Sequence, residues 1–139
     1  MRTLTVILLG ALLAGCSGTG TQDVEQQVNQ YIAEDQYEQA LELLGRTDST
    51  ETDADLSTLR EKTHLNYGIY LEYRGPEEQS MRDRMTTALE QFIEVLRINP
   101  ANQKAISEVE QIMGIYDTMP DRGPGEEILS DLRELGFDY

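Results

Sequence analysis

Apolar residues recur at helical spacing along almost the whole chain beyond residue 22, and no segment there alternates with period two. A helix puts residues three and four apart on one face, whereas a half-buried strand needs alternation, so the pattern predicts packed helices. Met81, Met85, Ala88, Leu89, Phe92 and Leu96 make the cleanest stripe. Val24, Val28, Tyr31 and Ile32 make another, as do Tyr37, Ala40, Leu41 and Leu44. Leu56, Leu59, Thr63, Tyr67 and Tyr70 continue the series. Ile106, Val109, Ile112, Met113 and Tyr116 follow, then Ile128, Leu129, Leu132 and Leu135. Six helices are predicted, over about 22–34, 36–46, 54–74, 78–98, 101–117 and 124–136.

The punctuation between stripes agrees. "GRTDSTETDAD" offers Asp and Ser caps before the third helix. In "RGPEEQ", Gly75 suits a left-handed helix end, and Pro76 with Glu77 and Glu78 suits a new start. "NPAN" ends the fourth helix, because the residue before Pro100 is pushed out of helical geometry. "MPDRGPGEE" separates the last two. Short connections favour antiparallel neighbours, so the expected architecture is all-α, three antiparallel helical hairpins in series.

Hairpins in series call for a search for repeats. In "YIAEDQYEQALELL", Tyr31, Tyr37, Ala40 and Leu44 resemble the middle of a tetratricopeptide repeat (TPR), with Asp35 and Gln36 where the turn glycine would stand. In "ALEQFIEVLRINPANQKA", Ala88, Phe92, Val95 and Pro100 resemble the end of such a repeat, and Gly68 with Leu71 its first helix. Gly68 and Ala88 lie further apart than the repeat allots, so a longer helix around "GPEEQSMRDR" is expected to absorb the excess. Gly114 does not fall on the position the repeat expects after Pro100. The resemblance covers roughly 22–118 and implies a TPR-like right-handed stack. Its concave face, formed mainly by first helices, would take a peptide or protein segment.

The N-terminal region has a different character. Arg2, an apolar run from Leu4 to Leu13, and then Ala14 and Gly15 have the layout of a secretory signal peptide. The run is too short for a membrane-spanning helix, which takes about 20 apolar residues. Leu13-Ala14-Gly15-Cys16 resembles the lipobox of bacterial lipoproteins. That resemblance implies a signal peptide over 1–15, cleavage before Cys16, and acylation of Cys16 into the lipid bilayer. Ser17 stands where an Asp commonly holds such proteins at the inner membrane, which points to the outer membrane, facing the periplasm. The stretch 16–21 is then a flexible tether and 22–139 the helical domain. Cys16 is the only cysteine, so it has no partner for a disulfide within the chain, and lipidation explains its presence.

The formal net charge of −15 argues against nucleic acid or anionic headgroups as partners. Lys62 and Lys104 are the only lysines, and such a surface suits a salt-rich habitat or a basic partner. His64 is the only histidine, which argues against a zinc site, and no nucleophile-elbow pattern supports a catalytic triad. "DSTETDADL" lacks the glycine and glutamate of a calcium loop at the required positions. Glu77/Glu78 and Glu126/Glu127 sit at helix starts, where the helix dipole accounts for them. No catalytic, metal or cofactor-binding residue is therefore assigned.

The candidate partner-binding residues lie in "HLNYGIYLEYR": Asn66, Tyr70, Tyr73 and Arg74, since Tyr and Arg combine large area with a polar tip. Tyr67 and Tyr70 are expected to be core, and Tyr73 and Arg74 exposed. Arg82 and Arg84 are expected to pair with Asp83, Glu78 or a facing helix. Phe137 is expected to fold back after a helix end at Leu135 and Gly136. The expected function is a lipid-anchored envelope scaffold or assembly factor, non-enzymatic, holding an unidentified envelope protein or peptide segment. The alternative is a divergent all-helical small-ligand binder or enzyme, with a polar pocket around His64, Tyr70, Arg82 and Arg84.

Overall fold

The computed structural model describes residues 19–47, 54–119 and 123–139, and these residues are all-helical, with no strand among them. Six helices follow in order: α1 (Thr19–Ala33), α2 (Tyr37–Arg46), α3 (Ala54–Tyr73), α4 (Met81–Ile98), α5 (Gln103–Asp117) and α6 (Glu126–Glu134). α1 pairs with α2 and α3 with α4, while α3 also meets α1 and α2. Both α5 and α6 lie against α4, which is the central helix of the second half.

The buried side chains form two clusters joined through α3. Val28, Ala40, Leu44, Leu56 and Leu59 make the first, between α1, α2 and the start of α3. Leu71 joins the second, with Met85, Ala88, Leu89 and Phe92 of α4, Val109 and Ile112 of α5, and Ile128 and Leu132 of α6. The two ends of α3 thus face different partners, and the helix shows no single stripe of the kind a surface helix carries. At the crossing with α4, Gly68 lies directly against the Phe92 ring. A Cβ built at Gly68 would stand 2.5, 2.8 and 2.9 Å from three atoms of that fully buried ring.

Several boundaries differ from the sequence reading, each for a local reason. α4 begins at Met81 and not near residue 78, because Ser80 is its N-cap: the Asp83 N–H donates to Ser80 Oγ at 3.1 Å. The Ser80 hydroxyl in turn donates to Asp83 Oδ2 at 2.7 Å, a reciprocal arrangement that fixes the start. The excess length between Gly68 and Ala88 is therefore taken up by the connection after Tyr73, and Pro76 to Glu78 lie before the helix. α1 begins at Thr19 and so takes in the second half of the expected tether; Cys16 and the signal segment lie outside the described residues. So do the Asp and Ser residues from Asp48 to Asp53 expected to cap α3.

Most other expectations are met. Asn99 ends α4 as expected, while α5 starts at Gln103 and not at 101, because Asn102 is its cap and accepts from the Ala105 N–H at 3.0 Å. α6 ends at Glu134, Gly136 takes a φ of 95°, and the Phe137 and Gly136 N–H groups donate to Leu132 and Arg133 carbonyls, both at 3.0 Å. That is a Schellman ending, and its left-handed residue needs glycine. Phe137 folds back onto the second cluster and stacks on Tyr139.

Candidate interaction face

Asn66, Tyr70 and Tyr73 occupy the last turns of α3, Arg74 follows directly after it, and the four engage different neighbours. Asn66 is half-buried and donates to the Lys62 carbonyl at 2.8 Å. Tyr70 is half-buried, its ring 5.3 Å from that of Tyr37, and the Arg74 guanidinium lies 5.2 Å above it. Arg74 also donates to Asp35 Oδ1 at 2.8 Å. Tyr73 points elsewhere, toward α5: its hydroxyl donates to Glu108 Oε2 at 3.1 Å and accepts from Gln111 at 2.9 Å. "HLNYGIYLEYR" is therefore two constellations, one fastening α3 to α2 and one facing α5.

The first constellation grows from the α1–α2 turn. Asp35 adopts a left-handed φ of 57°, which Asp tolerates better than most residues. In that pose one carboxylate oxygen accepts from both Tyr37, at 3.0 Å, and Arg74. Tyr37 stacks on Tyr67 with centroids 5.1 Å apart, and the Tyr67 hydroxyl donates to Glu38 at 3.2 Å. Burial, followed by the hydrogen bond to Asp35, pushes the Tyr37 hydroxyl up to about 12. Burial and then the charge of Glu38 do the same to Tyr67. Both hydroxyls therefore remain donors through neutral pH. Replacing Asp35 with Ala removes the shared acceptor and leaves a Cβ in the left-handed region without local hydrogen bonding. A loss of about 1–2 kcal/mol is expected in urea unfolding. Asp35→Asn, which keeps an acceptor and tolerates the turn, should recover part of it.

The second constellation holds two residues that the sequence reading passed over. Glu72 and Glu108 are buried, 7% and 2% exposed, and face each other from α3 and α5. Gln111 donates to Glu72 Oε1 at 2.6 Å, and the Lys104 ammonium contacts Glu108. Burial, then the hydrogen bond and charge of Glu108, push Glu72 up to about 7. Burial also works against ionisation of Glu108, but hydrogen bonds from Lys104, Glu72 and Tyr73 outweigh it and hold that carboxyl below its ordinary value. A signal was present in the sequence: Glu108 falls three after Ala105 and four before Ile112, on the apolar stripe of its helix.

The other singled-out residues are dispersed. His64 Nδ1 lies 2.9 Å from Gln91 Oε1. Arg82 donates to the Gly123 carbonyl at 3.3 Å, and Arg84 to the Arg74 carbonyl at 2.8 Å, so both meet backbone and not the expected carboxylates. The pocket expected around His64, Tyr70, Arg82 and Arg84 is thus divided among separate contacts. Met81, Met85, Ile112, Ile115, Tyr116 and Met119, with Arg82 as the one charged residue, line a small, mainly apolar cavity of about 190 Å³ between α4 and α5. Among the described residues no group of three or more His, Cys, Asp or Glu is placed to hold a metal ion. No family model, curated protein or solved structure matches the chain.

Proposed function

We propose that the chain is a lipid-anchored protein of the bacterial cell envelope, whose TPR-like helices form a scaffold or assembly surface for another envelope protein or peptide segment. The membrane part of this reading rests on Leu13-Ala14-Gly15-Cys16 behind a short apolar run, with Ser17 favouring the outer membrane. The binding part rests on one observation above the others. Tyr73 is 58% exposed although both bonds of its hydroxyl are satisfied by α5, so a large ring is held rigidly at the surface. A fixed aromatic with little rotamer freedom left to lose is the kind of anchor that dominates interfaces.

The test is crosslinking in native membranes followed by recovery of the intact protein, beside Tyr73→Ala. A specific envelope partner that is lost in the variant while helicity is unchanged supports the scaffold and its surface. Arg74→Ala serves as a comparison. Arg74 is committed to Asp35 and Tyr70, so this change should cost stability more than capture. Equal capture by wild type and Tyr73→Ala would remove this face from the proposal. No specific partner under several salt conditions would sink the scaffold reading and turn attention to small ligands.

A further inference from the structure

The Glu72–Glu108 pair enters the reading above only through the Glu108 bond to Tyr73, and its stoichiometry is unusual. Two buried carboxyls lie near one ammonium, that of Lys104, which contacts Glu108. Glu72 Oε2 is buried and meets no donor among the described residues. If both carboxyls were ionised, this oxygen would be a desolvated acceptor beside a like charge, which is costly twice over. If Glu72 is protonated, its hydroxyl becomes a donor to Glu108, and the orphan atom and the excess charge vanish together. The groups acting on the pair are the two carboxyls themselves, Tyr73 of α3, and Lys104 with Gln111 of α5.

We propose that Glu72 and Glu108 form a proton-dependent tie between α3 and α5, closed while they share one proton and loosened when that proton leaves. The tie is polar on both sides: Gln111 donates to Glu72 and to Tyr73, and Tyr73 donates to Glu108, so two of the three contacts end on these carboxyls and the third links them. Loss of the proton sets two negative charges against each other at this junction. Its first consequence is local, at the end of α3 and the middle of α5, where Tyr73 is held.

The sign follows from the two directions. Glu72 binds its proton more tightly in the folded chain, so its contribution is complete below about pH 4.5 and is lost as pH rises through about 7. Glu108 is shifted the other way, so its contribution is present above its ordinary range and is lost only in acid. The tie is strongest between these limits and fails on the alkaline side first.

The experiment is carbon-13 NMR of glutamate side-chain carboxyls in the detergent-solubilised full chain, with urea unfolding of wild type and Glu72→Gln between pH 5.5 and 8. Glu72→Gln keeps the shape and the donor but cannot lose a proton. The expected results are one glutamate titrating near neutral pH, absent in Glu72→Gln, and a folding constant that falls with pH more steeply in wild type, by roughly thirtyfold over the range. Comparing the two chains removes the general repulsion of so acidic a surface. Every glutamate titrating below pH 6, or parallel pH profiles for the two chains, would overturn the proposal. If Glu72→Gln does not fold, the wild-type NMR titration decides alone.

Discussion

Gly68→Ala is expected to destabilise the fold by about 2 kcal/mol, although alanine is the better helix former. In an open helix interior the same change would stabilise by about 1 kcal/mol. Here the new methyl must enter space held by Phe92, whose ring atoms lie 2.5 to 2.9 Å from it. The ring is fully buried among Leu71, Leu89, Val109 and other core residues, so its far edge has nowhere to turn. Inserting a methyl into a filled core typically costs about 1–3 kcal/mol, and a clash with three ring atoms belongs at or beyond the upper end. Subtracting the helix gain leaves the stated net loss. Gly114→Ala supplies the contrast, because a Cβ at that position of α5 would meet nothing within 4 Å. That variant should gain a few tenths to about 1 kcal/mol. Urea unfolding of both variants checks the pair, and Gly68→Ala with Phe92→Leu should recover part of the loss. Equal effects at both glycines would mean that α3 and α4 do not approach each other as described.

This approach was legible in the sequence. Gly68 stands in the first of two consecutive predicted helices and Phe92 on the stripe of the second, and a small residue opposite a large one is what close helices require. The helix ends at Asn99 and Gly136 were legible for a similar reason, since proline geometry and a left-handed glycine act over a few residues. The start of α4 was readable too, but the signals competed. Pro76 with two glutamates resembles a helix start, whereas Ser80 with Asp83 forms one, in which the Asp83 N–H, one of the free donors, meets the Ser80 oxygen.

What stayed hidden depends on which side of a helix meets which neighbour. The aromatic run in α3 reads as one recognition cluster. The fold assigns Tyr70 and Arg74 to α2 and the preceding turn, and Tyr73 to α5. Periodicity gives the angle of each side chain around its own axis but not what lies across from it. Glu72 shows the same limit, because the carboxyl it faces is 36 residues away in the chain.

Cys16→Ser is expected to have the largest effect of all, leaving an unacylated precursor that still carries its apolar run from Leu4 to Leu13. No described helix is long and apolar enough to cross a membrane. The net charge of −15 opposes adhesion to anionic headgroups, so electrostatics offers no second attachment. The proposed anchor is then decisive. Each buried methylene is worth about 0.8 kcal/mol, one acyl chain binds only marginally, and further chains make release negligible. Replacing the thiol by a hydroxyl removes the thioether linkage and, with it, the processing that depends on it. Fractionation with metabolic labelling by a radioactive fatty acid reads both steps. Label present in the wild type and absent from Cys16→Ser, with the variant held at precursor size, would support the anchor. Label absent from the wild type, or still incorporated by Cys16→Ser, would refute it, and the scaffold face would then have to be sought without a bilayer beside it.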